Sequence, residues 1–131
     1  MTTSAAGSYQ VSNWDEKPLD EQKYAVKLTN AHVTNTFSGD IEGEGSAEYL
    51  LAYPSEQYAT FVGFQQVTGS AGGRKGSLML QVSGTFEGGM ARAEWFVVPG
   101  SGAGDLKGLT GRGGYESSGP SADWTLQFDF G

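Results

Sequence analysis

A ladder of alternating apolar residues from Gly76 to Val98 constrains this chain more than any other stretch, because it holds two strands and the turn that sets how they face each other. Ahead of Glu87-Gly88-Gly89-Met90 the even positions are Leu78, Leu80, Val82, Gly84 and Phe86, with polar Ser77, Gln81, Ser83 and Thr85 between them. After it, Ala91, Ala93, Trp95 and Val97 take the odd positions and alternate with Arg92 and Glu94. A period of two is that of a strand, whose successive side chains point to opposite faces. A two-residue Gly88-Gly89 turn supplies the positive φ angles of a tight hairpin and predicts pairing of Phe86 with Ala91, Gly84 with Ala93 and Val82 with Trp95. In that register the apolar residues of both strands share one face.

The rest of the chain repeats the theme. Residues 1–7 are expected to form a disordered N-terminal tail ahead of a β-barrel domain of residues 8–131. Residues 8–15 read as a first strand, and 16–22 as a charged connector. Residues 24–37 read as one bent strand whose apolar phase changes between Leu28 and Ala31, which predicts a bulge near Thr29 and Asn30, since one extra residue swaps the two faces. From Asp40 to Tyr53, Asp40, Glu42, Glu44 and Glu48 fall on a solvent side, opposite Ile41, Ala47, Tyr49, Leu51 and Tyr53. Further strands follow at 58–68 and 105–116, and a last one carries Trp124, Leu126, Phe128 and Phe130 on one face.

About eight strands in hairpin succession, with no helical periodicity, predict an all-β fold: a single antiparallel up-and-down barrel, which removes both exposed sheet edges. A β-sandwich is the alternative. The 131 residues suffice for one domain with a core of its own. There is no cysteine, so disulfides and thiolate metal sites are excluded. A net charge of −7 and eight Lys and Arg residues without a run argue against nucleic acid as a partner. The first residues carry neither a basic start nor an apolar run, and no stretch reaches the roughly 20 apolar residues of a membrane helix. The expectation is a soluble, cytoplasmic protein with no membrane partner.

Several motifs, taken in order, resemble a known family. They are Phe37-Ser38-Gly39-Asp40-Ile41-Glu42-Gly43-Glu44-Gly45, Phe61-Val62-Gly63, Val67-Thr68-Gly69, Gly72-Gly73-Arg74-Lys75-Gly76-Ser77, Ser83-Gly84-Thr85-Phe86 and the long run from Val97 to Leu109. The series is similar to the signature of a small bacterial family of uncharacterised proteins related in fold to the allene oxide cyclases. The resemblance implies a calycin-like eight-stranded barrel, often a homo-oligomer, and brings no agreed activity. By the family's pattern, Glu and His would stand where this chain has Gln65 and Val82, so an internal acid and base pair is missing here.

Within the chain itself, nucleophilic catalysis finds no support: His32 is the sole histidine and its same-face neighbours Asn30, Thr34 and Thr36 are polar, as on an outer surface. Scattered carboxylates give no metal-ligand spacing, and no cofactor is called for. The 100–104 glycine run precedes no helix and reads as a hairpin loop. What remains is the interior. Tyr53, Phe61, Leu80, Val82, Trp95, Trp124, Leu126 and Phe128 are the candidate substrate-binding wall, with small residues such as Gly45, Gly84 and Ala93 among them. Either this face packs into a filled core, or the small residues leave a cavity for one apolar molecule, oriented by polar tips of Gln65, Tyr49, Tyr53 and the Trp95 indole. Two functions follow. The first is a cofactor-independent cyclase or isomerase, with Gln65 and Tyr49 as catalytic residues that polarise an oxygen during an intramolecular ring closure. The second is a non-catalytic, lipocalin-like binder or carrier of a hydrophobic small molecule.

Overall fold

The computed structural model describes residues 3–18, 26–119 and 121–130. In chain order the strands are β1 (Thr3–Pro18), β2 (Lys27–Gly39), β3 (Ile41–Ser55), β4 (Tyr58–Ala71), β5 (Arg74–Glu87), β6 (Met90–Val97), β7 (Ala103–Gly104), β8 (Thr110–Ser117) and β9 (Ser121–Asp129). All belong to one sheet. Apart from the two-residue β7, they run β4-β3-β2-β1-β9-β8-β6-β5, and β5 bonds back to β4, which closes an eight-stranded antiparallel barrel. Each strand pairs with its neighbour in sequence and the last returns to the first, so the sandwich is set aside and the up-and-down barrel stands. Among the described residues no helix is long and apolar enough to cross a membrane.

The opening hairpin has the expected register, Phe86 with Ala91, Gly84 with Ala93 and Val82 with Trp95. Its turn residues Gly88 and Gly89 have φ of 61° and 81°. Leu78, Leu80, Val82, Trp95 and Val97 are buried as expected, whereas Phe86 stands at the barrel rim and is 37% exposed. The middle of the barrel is full. Phe37 lies 5.9 Å from Trp124 and 6.4 Å from Trp95 between ring centroids, and Leu126 and Val82 are almost wholly buried beside them. The interior glycines leave no void in this layer, because neighbouring rings take the space. A Cβ on Gly45 would come within 2.8 Å of the Phe37 ring, one on Gly7 within 2.8 Å of the Trp124 ring, and one on Gly63 within 2.6 Å of the Tyr49 ring. These glycines are seats for aromatic side chains.

Four segments differ from the sequence reading, the first being the connector expected at 16–22, of which residues 16–18 continue β1 and pair with β2 while the rest lie outside the described residues. β1 begins at Thr3 and pairs with β9 from Thr3–Phe128 to Gln10–Ser121, so residues 3–7 are the start of a strand and not a tail. Ala5 is buried in this stretch, and the small Ala and Gly side chains that resemble a tail in sequence are what let β1 approach Trp124 closely. β2 runs without a bulge: Thr29, Ala31, Val33, Asn35 and Phe37 all face inward in one unbroken alternation, so Leu28, whose apolar side chain suggests the opposite phase, stands on the other face while the polar Thr29 is buried. Tyr24 lies outside the described residues. Finally, residues 105–109 form a turn and not a strand, with Leu106, Lys107 and Leu109 amides bonding back three residues at 3.1–3.4 Å. The three-residue spacing puts the Leu106 and Leu109 side chains on one side of that turn, and both are buried in the lower end of the barrel, Leu106 beside Gly76.

Leu106→Ala should therefore cost about 2–5 kcal/mol in urea unfolding, the range for a buried leucine whose site cannot collapse. A loss under about 1 kcal/mol would show that the turn lies on the barrel and that Leu106 is not buried in its end.

Candidate small-molecule site at the upper end of the barrel

A single inserted residue builds the upper end. In β1 up to Val11 the odd residues point inward, with Ala5 and Tyr9 buried. The pairing with β2 then steps from Val11–Asn35 to Asn13–Thr34, which leaves Ser12 as the extra residue of a bulge. A bulge of one residue exchanges the faces of the strand. Beyond it Trp14 lies opposite Val33 and Glu16 opposite Ala31, both inward-facing positions of β2. β9 no longer accompanies β1 past Gln10, so Trp14 and Glu16 stand over the barrel mouth.

Beneath them is a recess of ≈ 580 Å³. Its floor is Tyr9, Tyr49 and Tyr115, its middle wall includes Leu51, Phe61 and Ala91, and Trp14, Glu16, Tyr53 and Phe86 form its rim. The three floor tyrosines are buried, with the Tyr9 and Tyr115 rings 5.4 Å apart between centroids. Burial comes first among the causes that raise all three hydroxyls well above the ordinary tyrosine value; the proximity of another tyrosine adds to it in each case. The floor is thus a set of hydroxyls that are neutral near neutral pH and can donate to an oxygen.

The rim is polar in a different way. The Glu16 carboxylate accepts from Thr29 Oγ1 at 2.6 Å, Tyr53 OH at 2.6 Å and Trp14 Nε1 at 3.0 Å. Burial on its own would raise the Glu16 carboxyl; these three hydrogen bonds, with the Lys27 charge, outweigh it and hold the group below its ordinary value. Tyr53 moves the other way, pushed up to about 12 by burial and by the hydrogen bond and charge of Glu16.

Of the residues picked out from the sequence, Tyr49, Tyr53 and Phe61 line the recess. Leu80, Val82, Trp95, Trp124 and Leu126 lie in the filled layer below it, and Phe128 packs against Phe130 at 5.9 Å near the opposite end. The Trp95 indole donates to the Thr125 carbonyl at 2.9 Å, reaching past Gly113 of the intervening strand, so it is not a free polar tip. Gln65 is fully buried and accepts from Asn35 Nδ2 at 3.0 Å. It touches no residue of the recess wall through that bond. Asn35 Oδ1, Gln65 Nε2 and Trp124 Nε1 have no protein partner, a costly arrangement in a dry core. His32 lies on the outer surface, paired at 2.5 Å with Glu48 directly across on β3. Among the described residues no three His, Asp or Glu side chains gather as a metal site.

Sequence reasoning missed Tyr9, Trp14, Glu16 and Tyr115 as site residues, and Asn35 as the partner of Gln65. Asn35 shares its parity with Ala31, Val33 and Phe37, and that signal alone places it inside. Trp14 and Glu16 follow only once the bulge is put at Ser12.

Two outcomes test this account. Gln65→Leu and Asn35→Ala should each destabilise by about 1–3 kcal/mol by stranding the other amide, while the double variant loses less than the sum, measured as a double-mutant cycle in denaturant. Glu16 has a folded-state value below its unfolded value of 4.5, so its stabilising contribution is complete above that pH and vanishes as the pH falls through the lower folded value. The stability difference between the native chain and Glu16→Gln, on the order of 1 kcal/mol given the solvent screening at the rim, should be level near neutral pH and shrink steadily below pH 4.5. A difference that stays level in acid would rule out the depressed carboxyl.

Comparison with known proteins places this geometry in a family. No curated protein matches the chain. A crystal structure of a protein with unknown function from the DUF3224 family of Shewanella oneidensis MR-1 is similar along its whole length, with 28% identity, a TM-score of 0.79, and 100% of this chain and 99% of that chain covered. The model of the family described as "Protein of unknown function (DUF3224)" matches residues 5–130, all of the barrel from the first buried residue of β1 to the last strand. The chain therefore belongs to the DUF3224 family, whose barrel it shares.

Proposed function

We propose that this barrel binds one small, mostly apolar molecule in its upper recess. The observation that carries the reading is the shape and lining of that recess: ≈ 580 Å³ bounded by Phe61, Leu51, Phe86 and the tyrosine rings, with hydroxyls concentrated on its floor. Apolar and aromatic surface in a concave site is costly to leave in water, and a few convergent polar groups at its base suit a ligand with one oxygen or nitrogen at its inner end. Volumes of 300–1,000 Å³ are usual for sites that take drug-sized ligands. A non-catalytic binder or carrier needs nothing further from the chain.

The cyclase or isomerase reading draws support from one feature, the donor floor. Tyr49 and Tyr115 hydroxyls that stay protonated can polarise a carbonyl or epoxide oxygen while the walls fold a flexible substrate, and orientation with hydrogen bonding in a dry site lowers a barrier by several kcal/mol. In that reading the polarising group is Tyr49, with Tyr115 beside it, and Gln65 acts only through the core beneath.

A thermal-shift screen against apolar and polyketide-like compounds, followed by mass spectrometry of whatever is recovered, separates the two. A ligand at 100 times its Kd should stabilise the fold by about 2.7 kcal/mol, a shift of several degrees in a chain of this size. Recovery unchanged supports the carrier; recovery as an isomer of equal mass supports the cyclase or isomerase, and Tyr49→Phe should then slow turnover with little change in affinity. If Ala91→Trp, which fills the recess, leaves every shift intact, the ligand lies elsewhere.

A further inference from the structure

Resting on the upper recess as a binding site, we propose that its preferred occupant is a hydrophobic cation, an amine or quaternary ammonium carried on an apolar body. Seven aromatic side chains contribute to the lining, and Glu16 is its single charged residue among those described. Among the described residues no Lys or Arg lines it. An aromatic face carries negative quadrupole charge and attracts an ammonium within about 6 Å of the ring centroid, most strongly where water is excluded. Aromatic surface around a carboxylate therefore ranks three ligands of equal shape in a fixed order: cation, neutral molecule, anion. An anion would meet the Glu16 charge with no positive partner among the described residues of the wall.

The rim fixes where the charge goes. Trp14 is 48% exposed, yet its indole N–H is bound to Glu16 at 3.0 Å, so ring and carboxylate are held side by side. Tyr53 is joined to the same carboxylate at 2.6 Å, and Phe86 completes the rim. An ammonium seated there is beside Glu16, while its apolar body extends down past Phe61 and Leu51 to the tyrosine floor. Because every tyrosine of the site holds its proton well past neutral pH, the rings stay neutral π surfaces and do not become competing phenolates. The fold already makes one such contact close by: the Lys27 ammonium lies 5.8 Å from the centre of the Tyr53 ring, in the adjoining groove that Glu16 and Thr29 also line. A net charge of −7 adds a long-range field that draws cations in.

Titration calorimetry with three probes of the same chain length, each below its micelle concentration, tests this: decyltrimethylammonium, 1-decanol and decanoate. The ammonium should bind about tenfold tighter than the alcohol, with decanoate weakest. Glu16→Gln should bring the ammonium down by about tenfold, towards the alcohol. Trp14→Leu keeps the apolar bulk at a half-exposed position that folding tolerates, and should weaken the ammonium several-fold more than it weakens the alcohol. If Glu16→Gln fails to fold, the probe series and Trp14→Leu still decide the matter. Binding of alcohol or decanoate as tightly as the ammonium overturns the cation preference and leaves the recess as a binding site. Binding of none of the three overturns the recess itself, and this inference with it.

Discussion

The closed sheet forces a choice at every residue, inward or outward, and parity along the strand makes that choice for all of its neighbours at once. Because β4 bonds to β5 and β9 to β1, no edge remains at which a strand could slip without moving a whole face of side chains from core to solvent. The consequence is visible in β2 and β4, where Thr29, Asn35 and Gln65 are carried inside by the alternation of the apolar residues around them. Asn35 and Gln65 sit two strands apart, across β3, where Gly45 pairs with Asn35 and with Val67. A Cβ on Gly45 would meet Asn35 Oδ1 at 2.0 Å. The amide pair thus depends on a glycine, and the glycine on the parity that brought both amides inward.

Only one position breaks the rule within the site-forming strand, and the site depends on the break. With Ser12 in register, Asn13 and Asp15 would turn inward and Trp14 and Glu16 would lie in solvent. The bulge exchanges them. It puts an indole and a carboxylate over the mouth, and directs Asp15 to His32 and the outer face. Bulges are known to re-aim side chains next to functional sites. Here the re-aiming coincides with the stretch of β1 that has no β9 beside it, so the redirected residues meet an open end and not a filled core.

How much of this was legible follows from the same rule. The hairpin of β5 and β6 could be paired residue by residue, since two glycines with a demand for positive φ mark its turn and both strands alternate without interruption. Closure and strand order followed from the succession of such hairpins. The bulge lies in β1 and not in β2: the apolar Leu28 has the opposite parity to Ala31, Val33 and Phe37, but it faces away from the core while the polar Thr29 takes the inward position. Residues 105–109 read as strand because Leu106 and Leu109 are apolar, yet their spacing of three belongs to a turn. The recess was harder still. Large and small residues on the interior face are compatible with a void or with rings seated over glycines, and only three dimensions show that Phe37, Trp124 and Tyr49 take the second course while the upper end stays open.

The barrel is therefore divided by function of its aromatic residues. In the middle, Phe37, Trp95 and Trp124 fill space and contribute stability through burial and ring contacts of about 6 Å. Above them the Tyr115 ring, 5.2 Å from Trp95, is the point of change: its ring belongs to the core and its hydroxyl to the floor of the recess. From there upward the rings lose neighbours on one side, and Phe86 and Trp14 at the rim face solvent in part. Half-exposed aromatics bury less apolar area than the rings of the filled layer and so contribute less stability than those do. On the proposed reading their arrangement suits a partner that water serves poorly, and Glu16, the single charged residue of the lining among those described, would set the sign of that partner.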